Sequence, residues 1–410
     1  LENIRIGNKD LIKDINKAKV IEEIRTSSPI SRTDIAKKTN LGLSTITKII
    51  AELGQQGLIL EIGEGDSSGG RKPIHLEFNN NFGYVIGIKV ETERVVMALR
   101  NLNVELIQAL TINYPASSNW PYVIDQIKQG IRTLKMTALK HGKEILGLGL
   151  GVSGIVDIKQ GILLYSRMLN WDRVPFKEIL EKEFDIPVSV DNDVNTYALA
   201  ELLYGAGKIY NNFICVSIGV GIGAGIILNH QLYRGEFGGA GEFGHFIVNM
   251  DGEPCYCGQR GCLENYASDK FIIHKTQELL AQSSDKNSIL YAKRDQLSIS
   301  DIYEAARRGD VYAKAAYNEV GKNIGIGLAN IINVFNPAAI IVTGEGIAAK
   351  EFIADGITRF AGRNYFASQQ TCPIIFSELG KYGWEIGAAT AAIIELFEAP
   401  IYQGTRSPLL

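Results

Sequence analysis

The residues best equipped for chemistry lie between Gly238 and Glu264, in the run GGAGEFGHFIVNMDGEPCYCGQRGCLE. His245, Cys255, Cys257 and Cys262 fall within eighteen residues and take three of the chain's five cysteines. Their spacing is His-x9-Cys-x-Cys-x4-Cys. Three thiolates and one imidazole complete a tetrahedral shell for Zn²⁺ and leave no open position for a catalytic water. The expected zinc is therefore structural, a clip on a loop. Reduced thiols without a metal are the plain alternative, which spacing this tight disfavours. A disulfide fits poorly. The sequence shows no signal-peptide pattern and no transmembrane run, so a reducing cytoplasm is the expected setting.

Glu242 precedes His245 by three residues and Glu264 follows Cys262 by two, so two carboxylates flank the loop. His245 can bind metal through one ring nitrogen and a ligand through the other. Carboxylates accept from hydroxyls and an imidazole N–H donates, a combination suited to a polyhydroxylated small molecule. Two solvated loop carboxylates are the competing reading.

At 410 residues the chain is long enough for two or three domains. Its hydrophobic content of 46% and charged content of 21% are those of an ordinary globular protein. A net charge of −3 gives no global attraction to nucleic acid or to an anionic membrane, and no membrane partner is expected. Glycine runs such as GLGLGVSG and SIGVGIGAG predict buried strands followed by sharp turns, the pattern of an α/β fold.

The first eighty residues read as a separate unit. Apolar positions at Leu11, Ile12, Ile15, Ala18, Val20, Ile21 and Ile24 predict a helix over 9–26. Ser31 and Asp34 resemble a capping box that opens a second helix, and a third follows from Ser44 to Leu53. Ser44, Thr45, Thr47 and Lys48 are left outward on that third helix, suited to base edges and phosphates. Two short strands, 57–63 and 74–78, enclose a polar loop ending SSGGRKP, so Arg71 and Lys72 sit at the tip of a wing. The layout is a winged helix-turn-helix that would bind double-stranded operator DNA. Residues 1–78 hold 12 Lys/Arg against 11 Asp/Glu, so this reading rests on placement of charge and not on its total. A protein-interaction module is the alternative. A helix-turn-helix half-site needs a partner, which predicts a homodimer or a dimer of dimers.

From Phe82 strands and helices alternate in the cadence of a two-lobed nucleotide-handling fold. GEFGH, CYCGQRGCLE, DNDVNTYALAE and VSIGVGIGAGII together resemble the ROK family of repressors, open reading frames and sugar kinases. The resemblance spans nearly the whole chain and is strongest to the family's repressors of the xylose type. It implies an actin-like, hexokinase-like body behind the winged unit. The expected boundaries are 1–80 for the winged unit, 81–205 for a first lobe rejoined by helix 383–398, and 206–382 for a second lobe. By the same resemblance Asn192, Asp193, Glu242, His245 and Glu264 are sugar contacts, with Asn170 a sixth. Asp193 would be the base in a kinase, and an ordinary helix N-cap is its bland reading.

The phosphate grip is altered. Family kinases carry Asp-x-Gly-Gly-Thr where this chain has Lys89-Val90-Glu91-Thr92-Glu93, and Gly219-Val220-Gly221 lacks a hydroxyl between its glycines. Two acidic side chains facing a triphosphate oppose phosphoryl transfer, which depends on positioning and charge neutralisation. The turn after Ala339 is where the kinases hold adenosine. The chain is thus expected not to be an enzyme but a cytoplasmic, nucleoid-associated repressor answering to xylose, glucose or a related sugar. An active kinase with an added DNA-binding unit, or a repressor answering to a protein partner, are the alternatives. The polar segment Ser283–Leu297 is expected to be a surface loop.

Overall fold

The computed structural model describes residues 9–64, 74–283, 287–361 and 371–398. The amino-terminal unit comprises helix α1 (Lys9–Ser27), strand β1 (Ile30–Ser31), helices α2 (Arg32–Thr39) and α3 (Leu43–Gln55), and strands β2 (Ile59–Glu64) and β3 (Ile74–Phe78). Ser31 caps α2 by accepting from the Asp34 amide at 3.2 Å. Ile46, Ile49, Ile50 and Leu53 repeat at the helical period and bury one face of α3. Strands β1, β3 and β2 form a small antiparallel sheet in that order. Lys17 on α1 is 2% exposed and reaches Glu52 on α3 at 3.0 Å, so a buried ammonium is matched by a carboxylate.

The body holds two five-stranded mixed sheets. The first is built from β4 (Tyr84–Val90), β5 (Arg94–Asn101), β6 (Leu106–Asn113), β7 (Ile145–Val152) and the later strand β11 (Val188–Asn192), in the order β11-β7-β4-β5-β6. Helix α4 (Trp120–Lys140) covers it, and β8 (Ile155–Asp157), β9 (Ile162–Ser166) and β10 (Trp171–Val174) make a side sheet before α5 (Phe176–Phe184). Helix α6 (Asp193–Tyr204) then leads to the second sheet. That sheet contains β12 (Phe213–Ile218), β13 (Ile222–Leu228), β14 (Gln231–Tyr233), and the later strands β15 (Ala339–Thr343) and β16 (Ile374–Phe376). Its helices are α7 (Asp269–Gln282), α8 (Ile299–Arg307), α9 (Val311–Phe335) and α10 (Lys350–Ala361). The last helix, α11 (Gly383–Phe397), returns to the first sheet, where it packs on β4 and β7. No helix among the described residues is long and apolar enough to cross a membrane.

Every residue of β4 is buried, as expected of a central strand with parallel β7 on one side and antiparallel β5 on the other. One expectation needs correction. The segment after Ser283 is not simply a surface loop: Leu290 and Leu297 enter the second lobe's core on either side of a 3₁₀ turn, Tyr291–Gln296. Side sheet β8–β10 and helices α5, α7, α8 and α10 have no counterpart among the expected elements.

Helix α11 sits backbone on backbone against the first sheet. A Cβ placed on Gly149 of β7 would stand 1.7 Å from the Ala388 carbonyl oxygen, where no rotamer change can relieve the clash. Gly149→Ala is expected to destabilise the fold by about 3 kcal/mol. A urea melt followed by circular dichroism checks this, and an unchanged midpoint would contradict the seating of α11.

Candidate functional site

A cavity of ≈ 430 Å³ opens between the two sheets. The ends of β4 and β7 and the start of α6 form one wall, and the loop carrying His245 and Glu264 forms the other. Strand ends and helix starts meet here because β11 runs directly into α6, whose first turn is capped by Asn192. The Asn192 carboxamide oxygen accepts from the Val194 and Asn195 amides at 2.9 and 3.2 Å. Its nitrogen donates to the Gly154 carbonyl at 3.1 Å. The N-cap is therefore Asn192 and not Asp193, and both polar atoms of Asn192 serve the fold before they serve a ligand. Asp193 is the first helical residue, 9% exposed, and lines the cavity.

Asp193 faces a cation from the opposite strand. Lys89 Nζ stands 3.3 Å from Asp193 Oδ2 and 3.0 Å over the centroid of the Trp384 ring. Lys89 itself is 6% exposed. An ammonium can hold a carboxylate with one N–H and an indole face with another.

On the far wall Glu264 is buried, and its Oε2 accepts from the Ile222 amide at 2.9 Å. Glu242 lies 3.8 Å from His245 Nε2. Burial between the cavity walls raises the Glu242 pKa. His245 opposes that rise, and Glu264 and Asp193 add to it. The side chain is nevertheless 48% exposed, so one face stays wet and open to a ligand. Tyr256, Arg167 and Ser153 also line the cavity and had no distinguishing spacing in the sequence. Asn170 is not among the lining residues. It is exposed, at a left-handed turn with φ of 55°, although its neighbours Met168 and Leu169 do line the cavity.

The ligand atoms of His245, Cys255, Cys257 and Cys262 lie within 4.8 Å of one another. Cys257 and Cys262 Sγ are 3.6 Å apart, and Cys255 Sγ is 3.6 Å from His245 Nδ1. Tetrahedral bonds of ordinary Zn–S and Zn–N length would separate such atoms by about 3.6–3.8 Å, so the donor set fits the ion. The His245 ring turns Nδ1 to the thiols and Nε2 to Glu242 and Tyr256. The two nitrogens thus face metal loop and cavity respectively, the division of labour the sequence allowed.

Where a phosphate grip would lie, Glu91 faces the cavity and pairs with Arg94. Glu93 is exposed and does not line the cavity, so only one of the two anticipated carboxylates faces it. A carboxylate the sequence reading missed does more. Glu345 lies between this cavity and a second one of ≈ 210 Å³, with Oε2 2.8 Å from where a Cβ on Gly219 would be. The acidic residue directly after Gly344 in TGEG was its one available signal. Asp269 shares the second cavity, and its pKa is pushed up to about 6 by burial and by Glu345.

On the amino-terminal unit, Ser44, Thr47 and Lys48 are exposed on α3 and Thr45 is half-buried. The Thr47 hydroxyl donates to the Leu43 carbonyl at 2.8 Å. Arg71 and Lys72 lie outside the described residues.

Residues 85–394 match the ROK family. The chain belongs to the ROK family. It is 32% identical to the xylose repressor of Caldicellulosiruptor bescii over 97% of this chain and 100% of that protein. A solved ROK family transcriptional regulator, a homologue of the E. coli MLC protein, superposes with a TM-score of 0.83 at 29% identity. The match covers 93% of this chain and 96% of that one. A ROK family glucokinase from Streptomyces griseus, solved with glucose and AMPPNP, superposes with a TM-score of 0.67 at 28% identity. It covers 76% of this chain and 99% of its own. The body is thus the actin-like, hexokinase-like ROK body, shared by repressors and kinases alike.

Protein dialysed against metal-free buffer is expected to retain about one zinc per chain by atomic emission, and Cys257→Ser to retain less than roughly half of that. Undiminished zinc in the variant would remove the metal clip.

Proposed function

We propose that this ROK protein is a sugar-responsive transcriptional repressor. Its amino-terminal winged helix-turn-helix binds operator DNA, and a sugar in the cavity between the lobes changes that affinity. The observation that carries the proposal is the Lys89–Asp193 pair. In a kinase the residue at Asp193 has to take a proton from the sugar hydroxyl. Here its charge is already answered by an ammonium, so its remaining capacity is to accept a hydrogen bond. The polar set around it supports a sugar ligand: Glu264 and Glu242 accept from hydroxyls, and His245 Nε2 faces the same space. Zinc held by His245, Cys255, Cys257 and Cys262 would supply rigidity to this wall, holding the imidazole in one orientation.

Phosphoryl transfer is disfavoured on the same ground. Glu345 puts negative charge along the phosphate path, Glu91 lines it in a pair with Arg94, and Asp269 adds a carboxyl in the second cavity. A bound triphosphate would meet these carboxylates where transfer needs cations.

For DNA, Ser44, Thr45, Thr47 and Lys48 on α3 would enter a major groove while Arg71 and Lys72 on the wing meet the flanking backbone or minor groove. Two such units in a homodimer set a fixed half-site spacing, so a small rotation far from the DNA is enough to abolish the fit. The relatives named as xylose repressors support xylose or a close analogue as effector. A DNA target places the protein in the cytoplasm, on the nucleoid.

Calorimetry with d-xylose and d-glucose tests the sensor. At least one sugar should bind, and Glu264→Gln should weaken it roughly 10- to 100-fold, the range for losing a charged hydrogen-bond acceptor. A gel shift on a duplex selected by the protein from random sequence should change on adding that sugar. ATP turnover above background with either sugar would instead establish a kinase.

A further inference from the structure

Two helices leave the sugar cavity, and both end on the amino-terminal unit. Helix α6 starts at Asp193 and closes at Tyr204, whose hydroxyl lies 3.4 Å from Arg25 Nη1 on α1. Helix α11 starts beside Trp384 and closes at Phe397, whose ring meets Phe78 of β3 edge to face, with centroids 5.6 Å apart. At the α-helical rise, Phe397 is carried about 20 Å along the axis from Trp384. Phe397, Leu396 and Ile393 share one continuous core with Phe78, Leu76, Val20, Ile21 and Ile24. The sugar site and the winged unit are thus joined by packed helix and not by a flexible linker alone.

The two helices also grip each other. A Cβ on Gly387 of α11 would stand 2.2 Å from the Thr196 carbonyl oxygen of α6, so the backbones touch. At the cavity end the Tyr197 ring of α6 packs edge-on against the Trp384 ring of α11, with centroids 4.9 Å apart, and a third element joins both. Lys89 of β4 contacts Asp193, the first residue of α6, and Trp384, the second of α11. Its ammonium therefore fixes the starting points of both helices to the first sheet. The same Asp193 carboxylate is open to the cavity, where a ligand hydroxyl would donate to it. Lys89 and that hydroxyl would share one carboxylate, and a hydrogen bond accepted from the hydroxyl draws on the charge that holds the ammonium.

We propose that Lys89 is a clasp on the amino ends of α6 and α11, which a sugar hydroxyl bound at Asp193 loosens, so that both helices reseat beneath the winged unit. The proposal rests on the sugar-sensor reading above and assigns its transmission. Lys89 is a positioning residue: the sugar gains no new arm from it, and the clasp supplies the difference between the two states that a ligand must have to shift them. Displacements of 1–2 Å in packed helices are enough to alter how a second unit sits.

Lys89→Met keeps the apolar stem over Trp384 and removes the charge. Phe397→Leu acts at the far end and touches no cavity residue. In the wild-type full chain, saturating d-xylose or d-glucose should change affinity for the selected duplex by roughly tenfold or more. Both variants should still bind the sugar by calorimetry and the duplex by gel shift, yet the sugar should shift DNA affinity by less than about threefold. Amide hydrogen exchange gives a readout without DNA. Sugar should alter protection in 193–204, 383–397 and 74–78 of the wild type, and leave 74–78 unaltered in Lys89→Met. Variants that bind sugar and show the full wild-type change in DNA affinity, with the wild-type exchange pattern, overturn the clasp. Should Lys89→Met fail to fold, Phe397→Leu decides by the same measure. Absence of sugar binding in the wild type itself defeats the sensor reading, and appears before any variant is compared.

Discussion

A buried ammonium needs a negative partner, and in this protein that need organises the centre of the molecule. Lys89 lies on a strand that is buried along its whole length, so its charge cannot reach bulk water. Asp193 and the Trp384 ring answer it from two different helices. Pairs of this kind add little net stability, because desolvation offsets most of the attraction. Their effect is on arrangement. With the partners paired, the starts of α6 and α11 are held against the first sheet.

The two cavity walls differ in how they are held. The wall from the first lobe is secured by central strands, a capped helix and close backbone contacts. The opposite wall is a loop of 3₁₀ turns and isolated bridges, with little regular structure of its own. Glu242 and Glu264 project from that loop. Zinc held by the four metal-type ligands beside them would give the loop the rigidity that a sheet would otherwise supply. The carboxylates Asp193, Glu242 and Glu264 then face one space from both sides, a set of acceptors matched to hydroxyl donors. Glu345 and Asp269 extend the acidic lining towards the second cavity.

Much of this was legible in the chain. The three helices and the strands β2 and β3 of the amino-terminal unit followed from helical spacing, a serine cap and a short alternating pattern, all local features. The strands β7, β12 and β13 followed from apolar runs interrupted by glycines. The last helix was expected at Gly383–Phe397 and is there. Short elements with mixed faces, such as α5 and α8, were not visible, because nine residues carry too few periods to separate helix from loop. Asn192 was legible as a site residue but not as the helix cap, since capping depends on where the strand actually ends.

The sequence alone determined what can be read within a short stretch. His245, Cys255, Cys257 and Cys262 are close in the chain, so their spacing already limited the chemistry, and the glutamates beside them came with it. Tertiary structure decided what meets across distance. Lys89 is separated from Asp193 by 104 positions (193 − 89) and Asp193 from Trp384 by 191 (384 − 193), and no local pattern connects them. The substitution at Lys89 could be noticed as a departure from a phosphate-binding motif. That the lysine turns onto Asp193, and onto the helix that reaches the amino-terminal unit, follows from the packing of strands and helices far apart in sequence.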